Sequence, residues 1–202
     1  MDENILIANR LYKALSYSQY LERTKIRVLT SDATQFDEEL LQKFEYSRLN
    51  LQRSLRIEKV YSVSDDLKNL VLNLPQEHLW VVITEDWCGD SAQTVPYIAK
   101  IAAASPKVEL AILLRDENLD IIDQYLTNGT RSIPKLIGFD KNWNELYRWG
   151  PRPRALQELF QSWKLEDIPR EKLYENLQAW YNNNHGKELE REFMEMVRPF
   201  LI

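Results

Sequence analysis

The run Leu79-Trp80-Val81-Val82-Ile83 contains no polar residue, and that absence limits the folds open to this chain more than any other feature. A strand with one wet face alternates apolar and polar side chains. A continuous run of branched and aromatic residues must be covered on both faces, as in the interior of a parallel or mixed sheet flanked by helices. A helix is supplied directly afterwards by Ala92, Val95, Ile98, Ala99, Ala102 and Ala103 at helical spacing. Between the two lies Thr84-Glu85-Asp86-Trp87-Cys88-Gly89-Asp90-Ser91, which holds the only cysteine of 202 residues. Cys88 therefore stands at a helix start, where unpaired backbone N–H groups point outward and favour anions, a thiolate among them. Any thiol chemistry here is one-thiol chemistry.

A chain of this length, 44% hydrophobic and 28% charged, can bury a full core, and one domain with additions is the expectation. Met1-Asp2-Glu3-Asn4 does not begin a basic segment followed by an apolar one, and no apolar run approaches the roughly 20 residues that span a bilayer. A soluble protein, neither secreted nor inserted in a membrane, is expected. One cysteine cannot form an intramolecular disulfide, which suits a reducing compartment and makes the cytoplasm the expected location. A formal net charge of −5 gives no electrostatic footing for nucleic acid. One cysteine and two distant histidines, His78 and His185, offer no metal-ligand spacing, so no metal is expected. Nothing in the sequence sets the oligomeric state.

The hydrophobic pattern divides the chain into an N-terminal helical extension over 1–75, an α/β segment over 76–163 and a C-terminal helical extension over 164–202. In the first, Leu11, Tyr12 and Leu15 suggest one amphipathic helix. Phe36, Leu40, Phe44, Leu51 and Leu55 suggest a second, opened by a capping box at Thr34 and Asp37. Arg48, Arg53, Arg56 and Lys59 on that helix alternate with Glu45 and Glu58 and read as a solvated face. Ser64 caps a third helix ending at Pro75. The middle segment predicts strands over 79–84, 108–114, 135–140 and 144–149, and helices over 89–104, 117–127 and 153–163. The last two strands are joined by Asp140-Lys141-Asn142 and form an antiparallel hairpin, so the sheet is mixed. Beyond Pro169, two further helices are separated by Asn182-Asn183-Asn184-His185-Gly186.

Four features coincide: a buried strand leading to Trp87-Cys88, a helix beginning there, Pro96 eight residues after the cysteine, and Ile133-Pro134 just before another strand. Over residues 78–163 this resembles the thioredoxin family. There, Trp-Cys-Gly-Pro-Cys opens the active-site helix, a proline kinks that helix, and an Ile-Pro bond in cis faces the sulfur. The resemblance implies an α/β thioredoxin-like fold with a mixed central sheet and helical extensions at both ends. It implies that Cys88 is the attacking cysteine and Trp87 its flanking tryptophan. Ile133 and Pro134 then form the dipeptide whose backbone pairs with an extended substrate, and Arg131 is a basic residue on the rim. Gly150 resembles the glycine after the last strand. Ser91 stands where the family has its second cysteine, so the internal disulfide of a dithiol cycle cannot form. Asp90 replaces the usual proline, and Val82 falls where the family carries a buried carboxylate, leaving Glu85, Asp86 or solvent to move protons.

A free thiol titrates near ~8.5, and a helix start with nearby donors can bring it to about 7 or below. Ser91, one turn on, can donate its hydroxyl to the sulfur anion. Glu85, Asp86 and Asp90 act against the anion unless solvent or Arg131 screens them, and the sequence leaves the net sign open. The expectation is monothiol exchange at Cys88, with Ser91 as its anion donor, on a disulfide-bearing peptide, protein or small thiol. Trp87, Arg131, Ile133 and Pro134 meet the substrate. No resident cofactor is called for, glutathione entering only as an external thiol, and neither nucleic acid nor membrane is a partner. Two alternatives keep the fold: a redox-inert binding module, and a glutaredoxin-like glutathione or iron–sulfur protein, to which Cys-Gly-x-Ser is similar. Gly89-Asp90-Ser91 also resembles the start of a serine hydrolase family, but Asn182 takes the place of the acid that would support His185.

Overall fold

The computed structural model describes residues 3–201. At its centre lies a four-stranded sheet in the order β2 (Val108–Leu114), β1 (His78–Thr84), β3 (Lys135–Phe139), β4 (Glu145–Trp149). β1 and β2 are parallel, while β3 runs antiparallel to both β1 and β4, giving the expected mixed sheet. Successive strand residues point to opposite faces, and the apolar run of β1 feeds two cores. Trp80 and Val82 pack on one side with Ile98, Ile101, Leu136 and Phe193; Val81 and Ile83 pack on the other with Ile7, Ile121, Ile137 and Phe139.

Helices α3 (Glu38–Val60), α4 (Asp65–Leu72), α5 (Gly89–Ala103) and α9 (Lys187–Val197) contribute to the first core. The short helices α1 (Glu3–Ala8) and α6 (Leu119–Ile122) contribute to the second. α7 (Arg154–Leu165) and α8 (Arg170–Asn184) pack together through Leu156, Leu177 and Tyr181. The contact between α3 and α5 is fixed at a helix end: the Lys100 ammonium donates to the carbonyls of Glu58, at 2.5 Å, and Tyr61, at 2.7 Å. A cation there satisfies carbonyls that have no intrahelical partner.

The N-terminal extension differs from the predicted pattern. Leu11 and Tyr12 lie in a 3₁₀ turn, and Leu15 bridges to Ile112 on the outer edge of β2, each backbone N–H donating to the other's carbonyl at 2.8 Å. Helix α2 (Tyr17–Thr30) begins only after Ser16. The Ser16 hydroxyl accepts the Gln19 N–H while the Gln19 side chain accepts the Ser16 N–H, a reciprocal cap that ends the strand-like stretch. Thr34 does not open α3. Asp32 caps a 3₁₀ turn over Ala33–Gln35 and takes the Thr34 hydroxyl at 2.7 Å, and α3 starts behind Asp37, whose carboxylate accepts the Leu40 N–H at 2.8 Å. Phe36 precedes that helix and packs edge-on against Phe44.

Ser64 caps α4 as predicted. The helix expected over 117–127 shrinks to a 3₁₀ turn, Arg115–Glu117, and the single turn of α6. The Asn118 side chain donates to the Leu114 carbonyl at 2.8 Å and occupies the position from which a longer helix would start. α8 runs on through Asn184 and ends where His185 and Gly186 adopt left-handed conformations.

Gly150 follows β4 with φ +109°, and a Cβ built there would collide with the Pro134 carbonyl oxygen. Gly150→Ala is expected to destabilise the protein by roughly 2 kcal/mol or more, through an unfavourable backbone and a backbone collision. The check is the urea unfolding midpoint; an unchanged midpoint contradicts the close approach.

Candidate functional site

Cys88 caps α5 from an extended conformation, and its thiol donates to the Ile133 carbonyl at 3.3 Å. The Ile133-Pro134 bond is cis, as is Gly150-Pro151, and Pro96 lies inside α5. The structure thus brings Cys88, Trp87, Ile133 and Pro134 to one place. Ile133 is only 5% exposed, with its carbonyl already engaged by the sulfur.

The thiol sits in a hostile electrostatic setting. Burial first, and then the Asp90 carboxylate, push its pKa up to about 11, against opposing hydrogen bonds from the Ser91 hydroxyl and the backbone N–H groups of Ser91 and Asp90. Ser91 is 1% exposed, and its hydroxyl has no hydrogen-bond partner of good geometry in the resting state. A buried hydroxyl beside the thiol is a donor whose bond strengthens when the sulfur ionises.

Asp90 is bound on both oxygens. Arg152 donates to Oδ2 from Nη2 at 2.6 Å and Nε at 3.2 Å, and the Tyr181 hydroxyl donates to Oδ1 at 2.6 Å. This joins the head of α5 to the loop after β4 and to α8. The preceding acids are also engaged. Asp86 accepts from Arg27 at 2.6 Å and Ser47 at 2.9 Å, while its carbonyl accepts from Asn50 at 2.9 Å. Glu85 is buried, accepts the Asp116 N–H at 2.8 Å, and is held by burial up to about 7, with Asp116 and Asp86 adding to the shift. Two cations lie over the Trp87 ring, Arg115 at 4.6 Å and Lys43 at 5.6 Å from its centre.

A cavity of about 420 Å³ opens on the sulfur between α3, the Trp87–Asp90 turn, α7 and α8. Tyr46 and Arg53 of α3, Phe160 of α7 and Tyr174 of α8 line it, together with Arg152. Ile133, Pro134 and Arg131 do not. Arg131 is exposed and clamps Asp123 with two bonds, at 2.6 and 2.7 Å, so its charge is spent away from the sulfur. Arg152 and Arg53, which sequence reasoning missed or assigned to a solvated face, are instead among the cations lining the cavity with Cys88. Arg48, with Glu45 at 3.0 Å, and Arg56, with Asn182 at 2.9 Å, do lie on the surface, but Arg53 turns inward. Arg53 sits three residues from Asn50, on the inward side of α3, and that spacing is the one signal that could have separated it from its neighbours.

The serine-hydrolase reading lacks geometry, since Ser91 is buried within α5 and no hydrogen bond joins it to His185 among the described residues. Among the described residues no group of three or more His, Cys, Asp or Glu side chains is placed to hold a metal ion. None of the described helices is long and apolar enough to cross a membrane.

A family profile described as thioredoxin matches residues 34–164, a span that begins well before the first strand and takes in α3 and α4. No curated protein matches the chain. Among solved structures, a protein of unknown function from Pseudomonas aeruginosa is 18% identical and aligns over 92% of this chain and 98% of its own, with a TM-score of 0.55. An HIV epitope-scaffold is 17% identical over 92% of this chain and 99% of its own, also with a TM-score of 0.55. At these identities the likeness carries the fold alone: a thioredoxin-like α/β arrangement with a mixed four-stranded sheet and added helices at both ends.

Two outcomes follow from the charges. Asp90→Asn removes the carboxylate nearest the thiol and frees the charge of Arg152, so the pH midpoint for alkylation of Cys88 is expected to fall by about one pH unit or more. Iodoacetamide rates measured against pH decide it, and a midpoint unmoved from about 11 rejects the assignment. Between the ordinary value of 4.5 and about 7, native Glu85 keeps a proton that the unfolded chain has released. Stability therefore falls as pH rises through that window, by on the order of 3 kcal/mol in all. Glu85→Gln should flatten the dependence of unfolding free energy on pH there; an unaltered slope would place the proton elsewhere.

Proposed function

Because this chain belongs to the thioredoxin family, we propose that its single thiol exchanges with a disulfide admitted through the cavity between α3 and α8. The observation that supports this reading is the position of Cys88, at the head of α5, across from the Ile133 carbonyl and in the cavity wall. In the step itself the Cys88 thiolate attacks one sulfur of the incoming disulfide. A bond forms between those two sulfurs, the incoming S–S bond breaks, and the departing half leaves with the electron pair as a thiolate that takes up a proton from water. Ser91 cannot complete an internal disulfide, so an external thiol attacks the mixed disulfide, restores Cys88 and carries off the bound half. The Ser91 hydroxyl and the N–H groups of Asp90 and Ser91 hold the sulfur anion once its proton has gone.

A thiol held at about 11 is almost wholly protonated at neutral pH, so exchange is slow there and accelerates with base. The same observation favours a second reading, a redox-inert binding module that keeps the cavity and never ionises its cysteine. Intact-mass measurement of adduct formation with bis(hydroxyethyl) disulfide separates the two. Exchange predicts an adduct on Cys88 whose rate rises about tenfold per pH unit from about pH 7 to about pH 10, and none in Cys88→Ser. No adduct even in strong base would establish the inert module.

A further inference from the structure

We infer that the cavity takes a small, carboxylate-bearing disulfide and that Arg53 selects it, an inference that rests on the exchange reading above. The chain as a whole is acidic, with a formal net charge of −5. Its cavity is not: Lys43, Arg53, Arg152 and Arg170 line it against two carboxylates, Glu39 and Asp90. Both carboxylates are already matched, Glu39 to Lys43 at 2.8 Å and Asp90 to Arg152 at 2.6 Å. That leaves Arg53 and Arg170 without a carboxylate partner among the described residues. Arg170 is exposed, whereas Arg53 is half-buried, and burial together with the charge of Arg56 weakens its hold on its proton.

A half-buried guanidinium without a counter-ion is costly unless something brings the missing charge. Arg53 gives one hydrogen bond, to the Asn50 side chain at 2.9 Å, and its fork of N–H donors otherwise suits a carboxylate taken bidentately. It is also correctly placed. A Cβ built on Gly89 would touch its Nη1 at 3.9 Å, so the guanidinium lies beside the residue that follows Cys88. A carboxylate held there keeps the rest of a small molecule in the cavity that Cys88 also lines. Size agrees with a small molecule, since about 420 Å³ falls within the common range for such sites, about 300–1,000 Å³. An extended peptide finds less, because Ile133 is 5% exposed and neither it nor Pro134 lines the cavity.

The test uses a charge series of small disulfides bound to Cys88→Ser, where no covalent step can occur: dithiodiglycolate, anionic; bis(hydroxyethyl) disulfide, neutral; cystamine, cationic. Calorimetry should show dithiodiglycolate binding roughly tenfold or more tightly than the other two, a preference erased by adding Arg53→Gln and partly restored by Arg53→Lys. Equal binding of all three, no binding of dithiodiglycolate, or a preference that survives Arg53→Gln overturns the inference. The charge series decides by itself if the Arg53 variants do not fold. Failure of exchange registers separately, as a missing adduct in the unaltered protein that still binds dithiodiglycolate.

Discussion

One carboxylate organises the site. Asp90 lies in the first turn of α5, is bound by Arg152 and Tyr181, and shares with Arg152 an ion pair whose side chains are 11% and 10% exposed. Loss of either partner would leave a charge with little water to solvate it, a defect on the order of 3–5 kcal/mol in comparable buried pairs. The same charge stands next to the thiol and opposes its ionisation. Closure of the cavity by α8 and the protonation of Cys88 are therefore not independent properties. A proline at this position would supply neither.

A symmetrical arrangement holds the other side of the turn. Asp86 is gripped by Arg27 of α2 and by Ser47 and Asn50 of α3, as Asp90 is gripped by residues after β4. Each extension is anchored to the cysteine-bearing turn through one acid, and the turn is held from both ends. The acidic character of Glu85-Asp86-Trp87-Cys88-Gly89-Asp90 thus reflects folding chemistry: Asp86 and Asp90 are the points at which added helices attach, while Glu85 takes a backbone N–H within the α/β segment. Trp87 meets a different pair of neighbours, Arg115 and Lys43, whose cations lie over its ring.

The central sheet was legible because its signal is local. An apolar run such as Leu79 to Ile83 and the helical spacing from Ala92 to Ala103 state their environment without reference to anything distant. The turn chemistry of the N-terminal extension was less so. Asp32 and Asp37, and not Thr34, take the backbone N–H groups at the two turn starts, and the Ser16–Gln19 cap interrupts an apparent apolar stripe whose Leu15 is held on the edge of β2, a partner far away in sequence. The cysteine, its tryptophan and the cis proline were visible as a spacing. Arg152 and Arg53 were not, since their relation to Cys88 is made by chain segments 64 and 35 residues away and leaves no mark in either segment alone. Arg131 was the cation nearest in the expected motif, and Asp123, eight residues before it, takes it up.

The Leu15–Ile112 bridge has a bearing on the molecule's solution behaviour. β2 forms one border of the sheet, and an uncovered border offers its backbone groups to any strand that drifts past. A single exchanged pair of hydrogen bonds, followed at once by the capped start of α2, seats the chain across that border and then carries it away. A shortened protein starting within α2 would lack that pair of bonds and gain an adhesive flank, and crowding would turn that flank towards self-association. The leading residues thereby occupy part of a border that would otherwise be open to neighbouring chains.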